Sequence, residues 1–527
     1  MRKKMGANQS KVQGLYLPAQ SGKTGKMNKI MILNKHTAEL FGEGDVNFIL
    51  SSNNLVLAEQ TKSRVETALQ KEEFEHDADV FTWRSGKKET VSSAELYADI
   101  LDGKIDTVIM CANGPRIKHL VETVQRLESS RHFTKKIKIW IDEADSSIQL
   151  WRKYEHILAL TKVQKVTLVS ATFTSIFKRY GTIFILGYEV THPECYRCLR
   201  DCNKVEINLV GTPVEYVRHV VDLHSLAKPG VCAFVPGDTT QESHNEIASY
   251  LQERGFVVVI INGARKEILV PGKSAIQLDK YESTDDELNI TLAKLYHENH
   301  WDQFPFAVTG HYCVGRGVTF QSVPNEDHKG FLFTDGIISP ISDASTAYQL
   351  MARLFGNIGE HPSYKPCNIY SAHSMFSKVG KQESCAIHLP KMIHEESGMG
   401  AEVGKKDVKR AMNATSVKID GYRIYQEEED VRNVCKILGY HYKSTKDNAN
   451  GFKETSLNAK KTVASLTDAI QKVPTAYGMN DGEKTYRVYY PCYVDVKDKS
   501  TLRFVVIIRP DTDKTKLAEC DQTYTHL

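Results

Sequence analysis

The sequence predicts an α/β protein made of two consecutive parallel-sheet domains, followed by a smaller α+β domain. Short apolar runs alternate with amphipathic, helix-like stretches over the first 200 residues, a rhythm typical of βαβ units. The same rhythm recurs between residues 231 and 370 and is lost after about residue 385. We therefore expect two α/β domains at 1–205 and 206–385, and a C-terminal α+β accessory domain at 386–527.

The individual elements follow from runs of apolar residues and their spacing. The predicted strands are 47–50, 79–83, 106–111, 137–141 and 166–169 in the first domain, and 231–235, 257–261, 306–308, 331–334 and 368–370 in the second. The predicted helices are 57–69, 116–127, 245–254 and 344–355. Alternating apolar residues at 486–494 and 502–508 predict strands in the accessory domain.

The N-terminus and the cysteines favour an intracellular protein, in the cytoplasm or the nucleus. The chain has 25% charged and 41% hydrophobic residues, and its net charge of +3 permits a nucleic-acid partner without requiring one. No apolar run approaches about 18 residues, so we expect no membrane partner. The basic N-terminus lacks the apolar stretch of a secretory signal, and the eleven cysteines are expected to be reduced.

A polar segment, QSGKT, has the composition of a phosphate-binding loop. It follows a short apolar run and precedes a plausible helix, whose N-terminal N–H groups suit a phosphate chain. The glycine lets the backbone approach, the lysine places charge on the β- and γ-phosphates, and the threonine holds Mg²⁺. Leu17 stands where the full pattern has a glycine, so a polar turn is the alternative. The expected nucleotide-binding residues are Gln20, Ser21, Gly22, Lys23 and Thr24.

An acidic tetrapeptide follows the predicted strand 137–141. Carboxylates at the carboxyl end of a parallel strand face the crevice where ligands bind. Asp142 can hold Mg²⁺ through water, and Glu143 can orient or deprotonate an attacking water. We favour this interpretation over a solvated loop because a buried strand precedes the tetrapeptide.

A Ser-Ala-Thr triplet follows the next predicted strand. The hydroxyls of Ser170 and Thr172 can hydrogen-bond Asp145, which would couple the nucleotide site to movement of the second domain. The triplet is common by chance. Its position one strand after the acidic motif is the reason that we assign it a functional role.

Taken in order, these motifs resemble those of superfamily 2 helicases, the broad group that contains the DEAD-box proteins. The resemblance covers about residues 13–375 and implies two RecA-like domains with ATP and Mg²⁺ between them and nucleic acid across both. The later motifs, GRG-x-T and Q-x-x-A-R-x-F-G, look more like viral and phage branches. The matching pieces are QSGKT at Gln20, residues 51–60, NGPR at Asn113, DEAD at Asp142, SAT at Ser170, GVCAFVPG at Gly230, TGHYCVGRGVTF at Thr309 and YQLMARLFG at Tyr348.

The resemblance also implies which residues contact nucleic acid. The turn before the helix at 116–127 would contact a sugar-phosphate backbone, as a helix N-terminus suits phosphate, although a plain Gly-Pro turn explains it equally well. Residues of the 51–60 segment, including Gln60, would belong to a neighbouring strand-contacting loop or act as ordinary caps. The expected contacts are Ser51, Ser52, Asn113, Gly114, Arg116 and Thr309.

In the second domain, the resemblance assigns Arg316 and Arg353 to the nucleotide. Gln349 and Arg353 are four residues apart, so they share one helix face, which Ser342 or Asp343 can cap. A guanidinium there would stabilise transition-state charge, and Gln349 would bind the nucleotide. The chain departs from the family at two positions where arginine is usual, Leu350 and Asn357. Either the two arginines suffice, or hydrolysis is weak.

A cluster of soft ligands lies in the connection between the two domains. It could hold Zn²⁺, but its spacing is tight and it lacks a second pair of ligands, so we favour free cysteines. The cluster consists of His192, Cys195, Cys198 and Cys202.

The leading hypothesis is an ATP-dependent nucleic-acid helicase or translocase. The first alternative is an ATPase that moves on duplex DNA without unwinding it, acting with a partner. The second is a virion-associated structural protein with a degenerate helicase fold, against which the intact Lys23, Asp142 and Glu143 argue. The accessory domain is a possible contact for a protein partner.

Overall fold

The computed structural model divides the chain into two compact units, 1–405 and 406–527, described separately below. We call residues 11–187 the first lobe, 195–202 the connecting segment and 203–371 the second lobe; all three belong to the first unit. The structure describes residues 11–40, 44–51, 55–71, 79–83, 91–187, 195–280, 288–311, 314, 319–326, 328–398, 400–413, 421–438, 489–493, 499–508 and 513–523.

The first lobe alternates strands with helices. Its strands are β1 (Val12–Tyr16), β2 (Asp45–Ser51), β3 (Asp79–Trp83), β4 (Ile105–Cys111), β5 (Lys136–Ile141), β6 (Val163–Ser170) and β7 (Thr182–Leu186). Its helices are α1 (Lys23–Leu40), α2 (Leu55–Lys71), α3 (Ser93–Leu101), α4 (Gly114–Ser129), α5 (Ala144–Trp151) and α6 (Thr174–Tyr180), with a 3₁₀ helix at Arg152–Ala159.

The connecting segment contributes a short strand, β8 (Tyr196–Arg197), and a 3₁₀ helix, Leu199–Asp201, and the second lobe repeats the alternation. Its strands are β9 (Asn203–Glu206), β10 (Cys232–Pro236), β11 (Val257–Ile261), β12 (Lys266–Leu269), β13 (Ile276–Gln277), β14 (Phe306–Gly310), β15 (Asp335–Ile337), β16 (Gly356–Asn357) and β17 (Asn368–Ser371). Its helices are α7 (Pro213–Leu223), α8 (Gln241–Glu253), α9 (Leu288–Glu298) and α10 (Ala344–Met351), with 3₁₀ helices at Leu278–Lys280, Trp301–Gln303 and Ala352–Leu354.

Burial and capping explain why these residues form these elements. Strands β4 and β11 are buried along their whole length, as expected for a sheet covered by helices on both faces. Side-chain oxygens begin several helices by accepting N–H groups of the first turn. These N-caps are Ser92, Asn113, Thr212, Thr240 and Asp343.

Each lobe is built on one eight-stranded sheet. The first has the order β18-β7-β1-β6-β5-β2-β4-β3, where β18 (Gly400–Gly404) is antiparallel to β7 and all other pairs are parallel. The second has the order β13-β12-β11-β14-β10-β15-β17-β9, with only β12 and β13 antiparallel. This arrangement confirms the predicted α/β class and the tandem RecA-like sheets.

A long helix leaves the second lobe and returns the chain to the first. Helix α11 (His373–Ser397) contains Pro390 and leads to β18, which extends the first sheet. The boundary predicted at residue 385 falls inside this helix. No local sequence pattern shows that the chain returns to the first sheet after the helix. Neither α11 nor any other helix of the described residues is long and apolar enough to cross a membrane.

One predicted strand, 331–334, is wrong. The strand of this region is β15, one residue later, and Phe331 makes only an isolated bridge with Ser322. Instead, Phe331 and Phe333 pack against Phe306 and Phe234 in an aromatic cluster. The apolar run therefore signals core packing rather than sheet pairing.

The second unit contains a small α+β domain, as predicted. Its antiparallel sheet has the order β19-β21-β20, and two helices accompany it. These elements are α12 (Lys405–Asn413), which begins at the boundary between the units, β19 (Gly421–Tyr425), α13 (Glu428–Ile437), β20 (Tyr489–Tyr493), β21 (Leu502–Ile508) and α14 (Lys514–Thr523). Its core contains Tyr425, Val431, Val434, Cys435, Leu438, Phe504, Val506, Ile508 and Cys520.

Candidate functional site

The loop after β1 carries the residues that the sequence predicts to bind phosphate. Helix α1 begins at Lys23, and the two residues with left-handed backbone before it are Gln20 (φ 57°) and Gly22 (φ 80°). Ser21 closes the turn by donating its hydroxyl hydrogen to the carbonyl of Pro18 over 2.6 Å. Left-handed backbone costs free energy for a residue other than glycine, so the backbone of Gln20 is strained in this loop.

The end of β5 brings two carboxylates to the same place. Thr24 Oγ1 donates to Asp142 Oδ2 over 3.2 Å, and the backbone N–H of Glu143 donates to Asp142 Oδ1 over 2.9 Å. Burial and the charge of Glu143 raise the pKa of Asp142 to about 6. Lys23 Nζ lies 3.6 Å from Glu143 Oε1. A hydroxyl and a carboxylate in contact are the hard oxygen donors that Mg²⁺ takes alongside phosphate and water.

Glu143 is also reached from the second lobe. Gln349 donates its side-chain amide to Glu143 Oε2 over 3.2 Å and is 1% exposed. Glu143 itself has left-handed backbone, with φ 48° and ψ 45° at the start of α5. A charged and strained residue held by side chains of both lobes is typical of a functional site.

A cavity of about 340 Å³ lies between the lobes. Both lobes contribute cations and hydroxyls to its walls, and the first lobe adds two carboxylates, a lining that suits a phosphorylated ligand. The lining residues are Gln20, Gly22, Lys23, Thr24, Gly25, Ser51, Gln60, Thr61, Arg64, Asp142 and Glu143 of the first lobe, and Thr319, Phe320, Gln321, Arg353, Phe355, Asn357 and Ile358 of the second.

Arg353 occupies the second-lobe wall. Helix α10 is capped by Asp343 and ends at Met351, so Arg353 stands on the 3₁₀ turn that follows rather than on the helix. Gln321 holds this turn by donating to the carbonyl of Arg353 over 3.0 Å. Arg353 is 4% exposed and lines the same cavity as Lys23, where a guanidinium can meet phosphate.

Two tyrosines hold the phosphate-binding loop from the other side. The N–H of Ala19 donates to the hydroxyl of Tyr348 over 3.0 Å, and the hydroxyl of Tyr196 donates to the carbonyl of Ala19 over 3.0 Å. The two hydroxyls also hydrogen-bond each other. Tyr348 belongs to α10 and Tyr196 to the connecting segment, so the loop is bonded to both.

Gly356 allows the second lobe to approach the same loop. Its backbone is left-handed, and a Cβ placed on it would lie 2.5 Å from the Cβ of Gln20. In the same region, β16 pairs with β8, and Thr319 Oγ1 donates to Gln20 Oε1 over 3.3 Å. Any larger residue at 356 would push the lobes apart.

The hydrogen bonds expected at the Ser-Ala-Thr triplet are present. Ser170 Oγ donates to Asp145 Oδ1 over 2.8 Å, and Thr172 Oγ1 donates to Asp145 Oδ2 over 2.6 Å. Both carboxylate oxygens are therefore occupied, which fixes α5 to the end of β6.

Three of the residues expected to contact nucleic acid, Ser51, Arg116 and Thr309, are buried. Arg116 is 5% exposed, with its guanidinium 5.3 Å above the ring of Trp83, and Thr309 is buried within β14. Asn113 caps α4 by accepting the N–H of Arg116 over 3.0 Å, and Gly114 is the first residue of that helix. The buried Ser51 donates to the carbonyl of Met110 and lines the cavity between the lobes.

Three predicted residues lie outside the residues that the structure describes: Ser52, Arg316 and His192. Of the connecting segment's cysteines, Cys198 and Cys202 have thiol pKa values raised by burial, Cys202 to about 12. Within the described ranges, no group of three or more His, Cys, Asp or Glu side chains is placed to hold a metal ion.

The sequence reasoning missed three features of the site: the loop contacts of Tyr196 and Tyr348, and the orientation of helix α2. Gln60 and Arg64 of α2 line the cavity between the lobes, although the resemblance associates the 51–60 segment with nucleic acid. Their four-residue spacing was readable as one helix face, but the direction of that face depends on tertiary packing.

Comparisons with known proteins identify similar folds. The chain is similar to Mss116p bound to ssRNA and AMP-PNP, at 14% identity over 69% of this chain and 66% of that one, with a TM-score of 0.39. It is also similar to the E. coli DExH-box NTPase HrpB (9% identity, 85% and 56% coverage, TM-score 0.37) and to the DUF1998 helicase MrfA bound to DNA (11%, 78% and 62%, 0.40). The chain thus spans less than two thirds of the length of each. No family model matches the chain, and no curated protein does.

Proposed function

We propose that this chain is an ATP-dependent nucleic-acid helicase or translocase of superfamily 2, which hydrolyses ATP between its two lobes. The observation that supports the proposal is the shared cavity, which Lys23 and Glu143 line from the first lobe and Arg353 lines from the second. A site completed only when two lobes meet is suited to converting hydrolysis into lobe movement. The order of the sequence motifs supports the same assignment, and GRG-x-T with Q-x-x-A-R-x-F-G supports a viral or phage branch.

Each residue of the cavity has a role that follows from its chemistry. Lys23 would bind the β- and γ-phosphates, and Thr24 and Asp142 would hold Mg²⁺, which would neutralise phosphate charge. Glu143 would orient and deprotonate the attacking water. Arg353 would stabilise the charge that builds on the departing γ-phosphate, with Arg316 as a second contributor from outside the described residues.

Binding of ATP would rearrange contacts that already exist. Lys23 and Gln349 both contact the carboxylate of Glu143. A phosphate chain would compete for Lys23, and Glu143 would then turn toward water. Asp145, Ser170 and Thr172 would carry that change to the end of β6, while Gln20, Ser21 and Gly22 shape the loop.

The proposal of a nucleic-acid partner is supported in the structure by one helix N-terminus. The N-terminus of α4 at Asn113 and Gly114 offers backbone N–H groups to a phosphate. The buried positions of Arg116 and Thr309 give those residues no direct role in the conformation described here. The accessory domain remains a proposed contact for a protein partner.

The deciding experiment measures the ATPase rate of the whole chain with and without single- and double-stranded DNA and RNA. We expect nucleic acid to stimulate turnover and Lys23→Ala to abolish it, because the point charge on the phosphates is lost. A strand-displacement assay then separates a helicase from a translocase that moves on duplex DNA without unwinding. Absence of ATP turnover in the folded wild-type chain would favour the structural protein.

A further inference from the structure

Helix α2 directs two polar side chains, Gln60 and Arg64, into the nucleotide cavity. They are four residues apart and therefore lie on one face of the helix. Helix α2 follows β2, which pairs in the sheet with β5, the strand that Asp142 directly follows. The face thus stands beside the carboxylate wall, and the roles proposed above do not use it.

The amide of Gln60 is buried without a bonding partner. The residue is 6% exposed, and neither its amide oxygen nor its amide nitrogen finds a hydrogen-bond partner among the described residues. Buried polar side chains are almost always hydrogen-bonded. An amide that lines a cavity in this state offers an acceptor and a two-proton donor to a polar ligand.

The net charge of the cavity lining indicates what Arg64 contributes. The described lining has three cations and two carboxylates, an excess of one positive charge, and without Arg64 it would be neutral. Asn357 lines the same cavity and adds no charge. An Mg²⁺-bound triphosphate is strongly anionic, so a third cation matters most for the outermost phosphate. The charged residues of the lining are Lys23, Arg64, Arg353, Asp142 and Glu143.

We propose that Gln60 and Arg64 recognise the terminal phosphate of a nucleoside triphosphate together with a water beside it. The Gln60 amide would bond the water and a phosphate oxygen, and the Arg64 guanidinium would bond the phosphate. This inference rests on the proposed function and deepens it. It assigns to α2 of the first lobe the discrimination between triphosphate and diphosphate.

The test compares the binding of two fluorescent nucleotides with Mg²⁺: N-methylanthraniloyl-ADP and the same derivative of AMP-PNP. The variants of the whole chain are Gln60→Ala, Arg64→Ala and the control Lys62→Ala. Lys62 is a cation of the same helix whose side chain is 37% exposed and pairs with Glu66 over 3.5 Å. We expect AMP-PNP affinity to fall about tenfold or more in Gln60→Ala and Arg64→Ala, the range for a lost bond to a charged group.

ADP affinity should stay at the wild-type value in all three variants, which also shows that each variant is folded. Arg64→Lys should restore part of the AMP-PNP affinity, since it returns the charge but not the planar fork. An equal loss of ADP and AMP-PNP affinity, or the same loss in Lys62→Ala as in Arg64→Ala, would overturn the inference. So would wild-type AMP-PNP affinity in Gln60→Ala and Arg64→Ala. A wild-type chain that binds neither nucleotide would instead overturn the proposed function itself.

Discussion

The side-chain amide of Gln349 donates a hydrogen bond of 3.2 Å to the carboxylate of Glu143, and this contact joins the second lobe to the first. Lys23 lies 3.6 Å from the other oxygen of the same carboxylate. Glu143 is therefore held from both lobes, by a cation that phosphate would attract and by an amide that moves with α10. The residue proposed to activate water is the one whose surroundings change when the lobes separate.

Glu143→Gln should bind ATP and hydrolyse it at least about 10² times more slowly, because the amide cannot accept a proton from water. The substitution keeps the size of the side chain and its contact with Gln349. Nucleotide affinity and single-turnover hydrolysis are the measurements. Glu246→Gln, an exposed position of α8, is the matched control and should leave both unchanged. Normal turnover in Glu143→Gln would mean that another group activates the water.

Arg353→Ala should lower ATP turnover by a factor on the order of 10³, as finger arginines do elsewhere, with a smaller effect on binding. Arg353→Lys should recover little, because lysine cannot form the planar two-pronged bond. The kcat and KM of both variants test this, with Arg254→Ala as a control at an exposed ion pair with Asp222. A change in KM alone would mean that Arg353 binds ATP equally in the ground state and the transition state, and does not stabilise the transition state specifically.

Tyr348→Phe should weaken ATP binding roughly five- to tenfold, since it leaves the buried N–H of Ala19 without its partner. Tyr196→Phe should act in the same direction through the Ala19 carbonyl. Tyr216→Phe is the control, because the buried hydroxyl of Tyr216 has no hydrogen-bond partner among the described residues. Equal nucleotide affinity in all three variants would show that the loop keeps its shape without the tyrosines.

Stimulation by nucleic acid should decline steeply with salt, because the proposed grip is on phosphates. For a single strand, the logarithm of affinity should fall with the logarithm of salt concentration by about 0.7 for each phosphate contacted. Fluorescence anisotropy with labelled strands of different sequence measures both the slope and the expected lack of base preference. A flat salt dependence would argue against a motor that tracks the backbone.

The positions of motifs that directly follow a buried strand could be predicted from the sequence. Lys23 begins α1 and Asp142 follows β5 because buried apolar runs fix the strands, and parallel strands bring their carboxyl ends to one edge. The hydrogen bonds of Ser170 and Thr172 to Asp145 follow from the same reasoning.

Features that depend on packing between distant segments could not be predicted. Arg116 has a sequence context that suits a phosphate contact, yet its guanidinium lies over Trp83, which is far away in the chain. Strand β18 joins the first sheet across more than 200 residues of intervening chain, and no local pattern marks it. The inward face of α2 is of the same kind, because the sequence associates Gln60 with a strand-contacting loop or a cap and gives Arg64 no role, and only the packing of the helix directs both toward the cavity.

The last prediction concerns Glu383 of α11, which lies outside the nucleotide site. Both of its carboxylate oxygens accept the N–H of Leu199 in the connecting segment, at 3.1 and 3.2 Å. Burial raises the pKa of Glu383 to about 7 from an ordinary value of 4.5. The folded chain therefore binds more protons than the unfolded chain between these two values, so stability falls as pH rises through that window and levels off above it.

Glu383→Gln should remove the contribution of Glu383 to this pH dependence, on the order of 3 kcal/mol in the free energy of unfolding, and leave the smaller contribution of Asp142, whose pKa is about 6. Urea unfolding followed by tryptophan fluorescence at pH 5 and pH 8 measures it, and the four tryptophans all lie before residue 405 and so report on the first unit. Relative to wild type, the variant should gain stability at pH 8, because glutamine carries no charge to desolvate. Glu402→Gln, an exposed position on β18, should keep the wild-type slope. A Glu383→Gln variant whose stability falls between pH 5 and pH 8 as steeply as that of the wild type would place the titrating group elsewhere.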